Sequence, residues 1–388
     1  MRRIKVCHFA SVHTTTDTRV FHRECTSLAK HFDVTLIAIG KTSGTFNNVN
    51  VIAIPRPKNR IYRLLFTTWV VFFKAWKEHA DIYHIHDAEL IPFAMLLRIL
   101  RGKKVIYDIH ENTYEDIMHK PWIPRPLKWI MGKGYRFLEW LSSKLTHTIL
   151  VIAEPGFASR FLTRRFTIIQ NFAEYNLFVP YQNEKRSQVE GTNLFYMGTV
   201  FDYYYSLVPV VEAIALLKAK GIMIQFHCAG YTGHYIDDVL RKTPAYEQVK
   251  DQLHFYGYLD IEQGYEISKK CKVGLCLKNQ PESILVSHER KFFEYMAVGL
   301  PILSCDSHIY RDILDKYKLG KYTNISDAQA IADTLEEMMH NGAALDTYAS
   351  NNIKAARDFF NWKTEEDKLL GLYNVMGLSI PKKENHDS

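Results

Sequence analysis

No stretch of the 388-residue sequence reaches the about 18 to 20 consecutive apolar residues needed to cross a bilayer. The expected protein is therefore soluble or bound to one membrane face. The first strand is followed by a loop without a single glycine, where a nicotinamide dehydrogenase needs G-x-G-x-x-G. Neither G-x-x-x-x-G-K-[ST] nor G-x-S-x-G occurs, which argues against phosphate-loop hydrolases and α/β serine hydrolases. The six cysteines, Cys7, Cys25, Cys228, Cys271, Cys276 and Cys305, are dispersed in apolar runs without a C-x-x-C pair, as in the reduced core of a cytosolic protein. MRRIKVCHFASV has only a short apolar run, broken by His8, and reads as a first strand rather than a signal peptide. With no arginine-rich or RNA-binding aromatic motif, the net charge of +7 does not indicate nucleic acid; an anionic phosphate ligand or an anionic membrane surface fits it as well.

What is present is a folded composition, 47% hydrophobic and 23% charged, a balance that excludes a disordered chain. The length favours two domains, each with its own core. Strand-like runs alternate with helical patterns, as in parallel sheets with crossover helices. The first half has such runs at Ile4 to Phe9, Val34 to Ile39, Val49 to Ile54, Ile82 to Ile85, Val105 to Ile109, Thr148 to Ile152 and Phe166 to Ile169. From Asn171 to Asn193 the periodicity stops and the segment turns polar, as a linker would. Alternation resumes at Leu194 to Met197, Ile224 to Ala229, Leu253 to Tyr256, Val273 to Leu277, Pro301 to Ser304 and weakly near Tyr322, a second α/β unit. After Asp327 the chain reads as helical to about Met376, and the tail PKKENHDS as disordered.

Ligands of open parallel sheets gather beyond the carboxyl ends of strands. HTTTDTRVFHRE, after the first strand, holds His13, Asp17, Arg19 and Glu24; DIYHIHDAEL places His84, His86 and Asp87 at a strand end; VIYDIHE does the same with Asp108, His110 and Glu111. The H-x-H-D spacing puts both histidines on one face of a strand, as a metal site requires. No third ligand stands at a diagnostic spacing, so histidines that hydrogen-bond loops or a sugar are the stronger reading and no metal is expected.

The stretch ESILVSHERKFFEYMAVGLPILS reads as loop, helix, turn and buried strand. Ser287 can cap the helix, Phe292, Phe293, Met296 and Ala297 recur at helical spacing, Gly299 can end it, and Pro301 opens an apolar run. Lys291 and Glu294 share a face. Helix-start N–H groups and a lysine suit a diphosphate, and a carboxylate one turn deeper suits a vicinal diol. The plainer alternative is an amphipathic helix with a surface Lys–Glu pair.

Three stretches resemble glycosyltransferase family 4, a large retaining group with the GT-B fold. HTTTDTRVFHRECTSLAKHFDVTLIA and HDAELIPFAMLLRILRGKKVIYDIHE with KPWIP resemble a bacterial subgroup, and HERKFFEYMAVGLPIL resembles the family's donor-binding helix. The resemblance implies two Rossmann-like α/β domains facing each other across a cleft, followed by C-terminal helices. With the periodicity and composition read above, the expected division is an acceptor-side domain at 1–170, a linker at 171–193, a nucleotide-sugar domain at 194–355, a helical segment at 356–378 and a disordered tail at 379–388. The resemblance further implies that Glu294 holds the donor ribose and that His110 meets the transferred sugar. His110 and Lys291 are the expected catalytic groups; Arg290, Gly198 and Ser287 join Glu294 in donor binding. His13, Asp17, Arg19, His86, Asp87 and Glu111 are the expected contacts to sugar or acceptor. This chain departs from the family at Val286, where a second glutamate is usual, and at Thr199 and Tyr205, near the places of two phosphate-binding cations.

The implied reaction moves a sugar from a nucleoside-diphosphate sugar to a saccharide or lipid-linked acceptor with retention, by same-face attack and without cofactor or obligatory metal. It would serve cell-surface polysaccharide or glycolipid synthesis. RIYRLLFTTWVVFFKAWKEHA and KPWIPRPLKWIMGKGYRFLEWLSSK interleave apolar and basic residues. They suit an anionic membrane face or, equally, packing against the first sheet, which keeps the protein cytoplasmic with possible contact to the inner membrane face. Two other readings stay open: an epimerase of the same fold, and a non-catalytic nucleotide-sugar binder.

Overall fold

The computed structural model describes residues 3–110, 113–119, 123–145, 149–152, 166–198, 207–278 and 288–376. The chain forms two compact units, one of residues 1–171 joined by Lys363 onward, the other Phe172–Trp362.

In the first unit the strands are β1 Lys5–Thr14, β2 Asp33–Ile39, β3 Gly44–Phe46, β4 Val49–Ile54, β5 Ile82–Ile85, β6 Lys104–Ile109, β7 Ile149–Ile152 and β8 Phe166–Ile168. They form one sheet in the order β3-β4-β2-β1-β5-β6-β7-β8, parallel except for β3. Helices cover both faces, so the central strands read as near-continuous apolar runs: Val6, Phe9, Val34, Leu36, Ile37, Ile82 and Ile85 are all buried. The short antiparallel β3, exposed throughout, went unread because it has no buried face to impose a pattern. Strand order reverses between β1 and β5, the crevice where doubly wound sheets bind ligands. There β1 pairs with β5 so that His8 stands directly opposite His84.

The second unit carries β9 Thr192–Met197, β10 Ile224–Ala229, β11 Leu253–Gly257, β12 Val273–Cys276, β13 Ile302–Cys305 and β14 Gly320–Thr323. All are parallel, in the order β11-β10-β9-β12-β13-β14, with the reversal between β9 and β12. The helix Arg290–Ala297 leads into β13 and is the most buried helix near that reversal. Phe292, Phe293 and Met296 are sunk in the core, each burial contributing roughly 1.5 to 3 kcal/mol. Gly299, at φ +67, turns the chain, and its N–H donates to the Met296 carbonyl (3.1 Å).

The polar stretch after Asn171 folds onto this unit as short helices, Tyr175–Phe178, Val179–Tyr181 and Arg186–Gln188. Arg186 is fully buried and donates to four carbonyls: Gly299 (2.9 Å) and Val298 (2.8 Å) behind the helix Arg290–Ala297, and Ser268 (2.7 Å) and Cys271 (2.8 Å) behind the helix Ile261–Ser268. It thereby satisfies carbonyls that helix ends leave unpaired and fixes two helices to each other. Burial lowers its pKa to about 10.

All six cysteines are buried free thiols. Among the described residues no helix is long and apolar enough to cross a membrane.

Candidate functional site

At the reversal in the first unit, the ends of β1, β5 and β6 bring together most of the side chains singled out from the sequence. Arg19 is buried and forks onto Asp108, Nε to Oδ2 and Nη2 to Oδ1, both at 3.1 Å, while Nη1 donates to the Ile169 carbonyl (3.1 Å). Its Nε also lies 3.0 Å from Glu24 Oε1. One guanidinium between two buried carboxylates forces them apart in acidity. Burial alone would raise Asp108, but the Arg19 charge and hydrogen bonds from His110 and His86 hold it well below the usual carboxylate range. Burial and the neighbouring Asp108 charge push Glu24 well above it.

Around this pair stand five histidines. His110, at the end of β6, lies 3.0 Å from Asp108 Oδ2 through Nε2, with its side chain 15% exposed. His86 is buried, its Nδ1 3.1 Å from His110 Nε2 and its Nε2 2.9 Å from His8 Nδ1. His84 Nδ1 and the Tyr373 hydroxyl are 3.1 Å apart. Burial lowers His8 and His84 well below the ordinary imidazole value and His86 to about 4. His13 goes the other way: burial is overcome by its hydrogen bond to Asp17 (3.1 Å) and by the charge of Asp87, which raise it to about 9. Its ring leans on that of His110, centroids 4.5 Å apart.

His13, Asp17 and His110 thus form the partly exposed rim, and the rest lies beneath. Arg19, expected to touch sugar or acceptor, is buried and paired with Asp108. Asp87 accepts the backbone N–H groups of Ser11 (2.5 Å) and Val12 (3.0 Å), so it ties the carboxyl-terminal part of β1 to the end of β5. Glu111 lies outside the described residues.

Two groups of side chains here have ligand atoms close enough together to hold a cation: His8, Glu24, His84 and His86, and His86, Asp108 and His110. The third ligand that spacing did not offer therefore exists in space, from β1 and from the π-helical turn Val20–Cys25. The rings nonetheless argue for hydrogen bonding over coordination. His84 stacks on His86 with planes 18° apart, so their in-plane lone pairs run side by side instead of converging on an ion at about 2.0 to 2.1 Å. In the second group Arg19 already occupies both Asp108 oxygens.

In the second unit the helix Arg290–Ala297 supplies the charged groups. Ser287, expected to cap it, lies outside the described residues. Its N-cap is Glu289, in extended conformation (φ −69, ψ 139). A carboxylate suits the positive end of a helix dipole, and the Tyr310 hydroxyl accepts from Glu289 N–H (3.1 Å). Lys291 is buried beside it, Nζ 2.9 Å from Glu289 Oε1 and 3.9 Å from the centroid of the Tyr196 ring. It is neither on the surface nor paired with Glu294, as the plainer alternative required.

Lys291 reaches the carboxyl end of β9. There Gly198 has φ +151, and a Cβ on it would lie 2.9 Å from Lys291 Cε and Nζ. Gly198 itself is overlain by Gly230, whose Cβ would fall 1.9 Å from the Gly198 carbonyl oxygen. The backbone end of β9 and the lysine are thus held in contact by two positions that exclude side chains.

Glu294 is buried, with Oε2 accepting from the Tyr265 hydroxyl (2.6 Å) and Oε1 2.9 Å from Arg290 Nε. Arg290 is half-exposed, whereas Glu294 is buried. Glu289, Tyr196, Tyr265 and Tyr310 were not picked out from the sequence; only the neighbourhood of Glu289 to Lys291 could have signalled any of them. Val286, Thr199 and Tyr205 lie outside the described residues.

Comparisons with known proteins agree with this organisation. The family model described as Glycosyl transferases group 1 matches residues 181–357, and that described as Glycosyltransferase Family 4 matches residues 18–159. No curated protein matches the chain by sequence. Sucrose-phosphate synthase from Thermosynechococcus elongatus has a similar structure, with 14% identity and a TM-score of 0.72 over 97% of this chain and 99% of its own. WaaG, a glycosyltransferase involved in lipopolysaccharide biosynthesis, gives 15% identity and 0.67 over 97% and 100%. HepE of Anabaena, solved with UDP and glucose, gives 12% and 0.67 over 97% and 100%. Likenesses at such identities show the fold, which is GT-B, and together with the two family models they support a glycosyltransferase as the class of this enzyme.

Proposed function

We propose that the protein transfers a sugar from a nucleoside-diphosphate sugar to a saccharide or lipid-linked acceptor, with retention of anomeric configuration. The observation that carries this reading is the buried lysine against a bare backbone at the end of β9: Lys291 at Gly198, with Glu294 one turn deeper on the same helix. Departure of a nucleoside diphosphate builds charge on phosphate oxygens, and a preorganised cation there is the largest catalytic contribution available. Lys291 takes that role, with Arg290 as a second cation once it leaves Glu294 for the ligand, and Glu294 receives the ribose diol. HepE, of the same fold, was solved with UDP and glucose, which supports a donor of this class.

His110 hydrogen-bonds the transferred sugar, with His13 and Asp17 beside it on the rim. Transfer proceeds by same-face attack, the departing phosphate taking the acceptor proton. No step needs a metal or cofactor.

A lipid-linked acceptor is supported by the surface of the first unit. Leu65, Phe66, Trp69 and Phe73 stand exposed on the helical segment 60–77, and Trp129, Ile130, Phe137 and Trp140 on the helix Arg125–Leu145. Arg60, Lys77, Arg125, Lys133 and Arg136 are exposed among them. Apolar side chains ringed by cations suit an anionic bilayer face, where the protein would work in cell-surface polysaccharide or glycolipid synthesis. Lys120 and Trp122, read as part of this surface, lie outside the described residues.

The test is incubation of the purified protein with radiolabelled nucleoside-diphosphate sugars and a bacterial lipid extract. Label passing into the lipid or glycan fraction is expected. Label that stays on the nucleotide with an inverted sugar centre would make the protein an epimerase, and unchanged donor throughout a panel would make it a binder.

A further inference from the structure

The contacts below His110 fix which of its nitrogens can face a ligand. A guanidinium is always charged and a carboxylate beside it only accepts, so Asp108, forked by Arg19, takes hydrogen bonds and gives none. Its Oδ2 lies 3.0 Å from His110 Nε2 and 3.4 Å from His86 Nδ1, and those two nitrogens are 3.1 Å apart. Inward from His86 the contacts continue from Nε2 to His8 Nδ1 (2.9 Å), from His8 Nε2 to the Tyr373 hydroxyl (3.5 Å), and from that hydroxyl to His84 Nδ1 (3.1 Å).

A neutral imidazole has one donor and one acceptor nitrogen, so at His86 this chain can be directed in only two ways. In the first, His86 Nδ1 donates to Asp108 and every inner bond points outward; His110 Nε2, against the same oxygen, must donate to it as well. In the second, His110 Nε2 donates to His86 Nδ1 and the bonds from His86 and His8 point inward to the Tyr373 hydroxyl, which donates to His84 Nδ1 or accepts from it; His84 Nε2 has no hydrogen-bond partner among the described residues and faces Glu24 Oε2 at 4.0 Å. Both directions leave the proton of neutral His110 on Nε2 and a lone pair on Nδ1, across the ring from Asp108.

We propose that Asp108, clamped by Arg19, is the positioning residue that holds His110 as its Nε2–H tautomer and presents Nδ1 as an acceptor to a hydroxyl of the bound sugar. This rests on the reading of His110 as the group that meets the transferred sugar. A group that orients a reacting sugar acts in the transition state while adding little to nucleotide affinity.

Two measurements test it. Long-range proton–nitrogen correlation spectra of histidine-labelled protein, recorded near pH 8.5, well above the ordinary imidazole pKa of about 6.5, read the tautomer directly, with His110 assigned by the signals lost in His110→Gln. The expected spectrum has Nε2 protonated and Nδ1 bare; a protonated Nδ1 overturns the proposal. In kinetics Asp108→Asn should lower turnover by about 100-fold without changing the affinity for a bare nucleoside diphosphate. The double variant Asp108→Asn, His110→Ala should be no slower than His110→Ala alone, whereas additive losses overturn the proposal. Asp108→Asn leaves the Arg19 charge poorly matched; if that variant does not fold, the spectrum of the unaltered protein decides. Full turnover in His110→Ala with the Nε2–H tautomer intact would remove the sugar assignment and leave the tautomer standing, so the two failures are distinguishable.

Discussion

The two units place different chemistry at equivalent points of their sheets. At the reversal in the first, three buried imidazoles and a phenol hang from one Arg–Asp fork, joined by hydrogen bonds whose sense depends on the tautomers. At the reversal in the second the polar groups are two ion pairs, Lys291 with Glu289 and Arg290 with Glu294, with tyrosine hydroxyls from Tyr265 and Tyr310 on the carboxylates. Fixed charge suits a fixed-charge ligand such as a diphosphate. A tunable hydrogen-bond network suits sugar hydroxyls, which need donors and acceptors in the right sense. On the proposed function, the same architecture would bind in one place and orient in the other because the strand ends carry different side chains, not because the sheets differ.

The largest expected effects separate these roles. Glu294→Ala should abolish transfer, and because it also strands the buried Tyr265 hydroxyl, at a cost of about 1 to 3 kcal/mol of stability, Glu294→Gln is the companion that keeps an acceptor for that hydroxyl. Loss of transfer in both, with normal melting of the glutamine variant, places the effect on the ligand; full activity in Glu294→Gln would deny the carboxylate its role. His110→Ala should lower turnover by about 100-fold or more at nearly unchanged KM for the donor. A variant of normal turnover would move the sugar elsewhere.

Acidity should distinguish the units next. His13 is raised in the folded state to about 9, so its contribution to stability is complete below about pH 6.5 and is lost as the pH climbs to about 9. His86 is lowered to about 4, chiefly by burial. As the pH falls from about 6.5 toward that value the unfolded chain takes up a proton that the folded chain refuses, and stability drops. The half-buried His227 of the second unit, also lowered to about 4 by burial, adds to the acid limb only. Melting temperature should therefore decline between pH 6.5 and 9, and His13→Gln should flatten that alkaline limb while sparing the acid one. An alkaline limb of unchanged slope in His13→Gln would contradict the assignment.

Gly198→Ala should have a smaller effect, confined to the second unit. Its Cβ would meet Lys291 at 2.9 Å, and displacing the ammonium should weaken nucleoside diphosphate binding by about 1 kcal/mol or more. Equal affinity would show that the lysine lies apart from the phosphates. The smallest expected effect is that of chelators, which should leave transfer unaltered; activity lost in chelator and restored by a divalent ion would turn the histidine network into a coordination site.

Much of this was legible in the sequence. Buried parallel strands announce themselves as apolar runs, and His13, Asp17, His86, Asp87 and His110 fall at their ends, where the sheet's topology gathers ligands. What stayed hidden depends on pairing and distance. His8 looked like a break in an apolar run, and only the β1–β5 register sets it opposite His84. Tyr373 meets His84 across 289 positions of sequence, beyond any local pattern. Arg186 stood in an apparent linker, whereas its guanidinium locks the ends of two helices. At the helix Arg290–Ala297 a serine is a favoured cap, so the sequence points to Ser287, whereas the burial of Glu289 against Lys291 and Tyr310 is decided by tertiary packing.

Titration calorimetry with a bare nucleoside diphosphate puts the central claim to its most direct test. Three proteins suffice: the unaltered chain, Glu294→Gln and His110→Ala. The division of labour predicts that affinity falls by about 1.5 to 3 kcal/mol in Glu294→Gln, the value of a hydrogen bond to a charged group, and stays unchanged in His110→Ala. Unchanged affinity in Glu294→Gln, or an equal loss in His110→Ala, would contradict it.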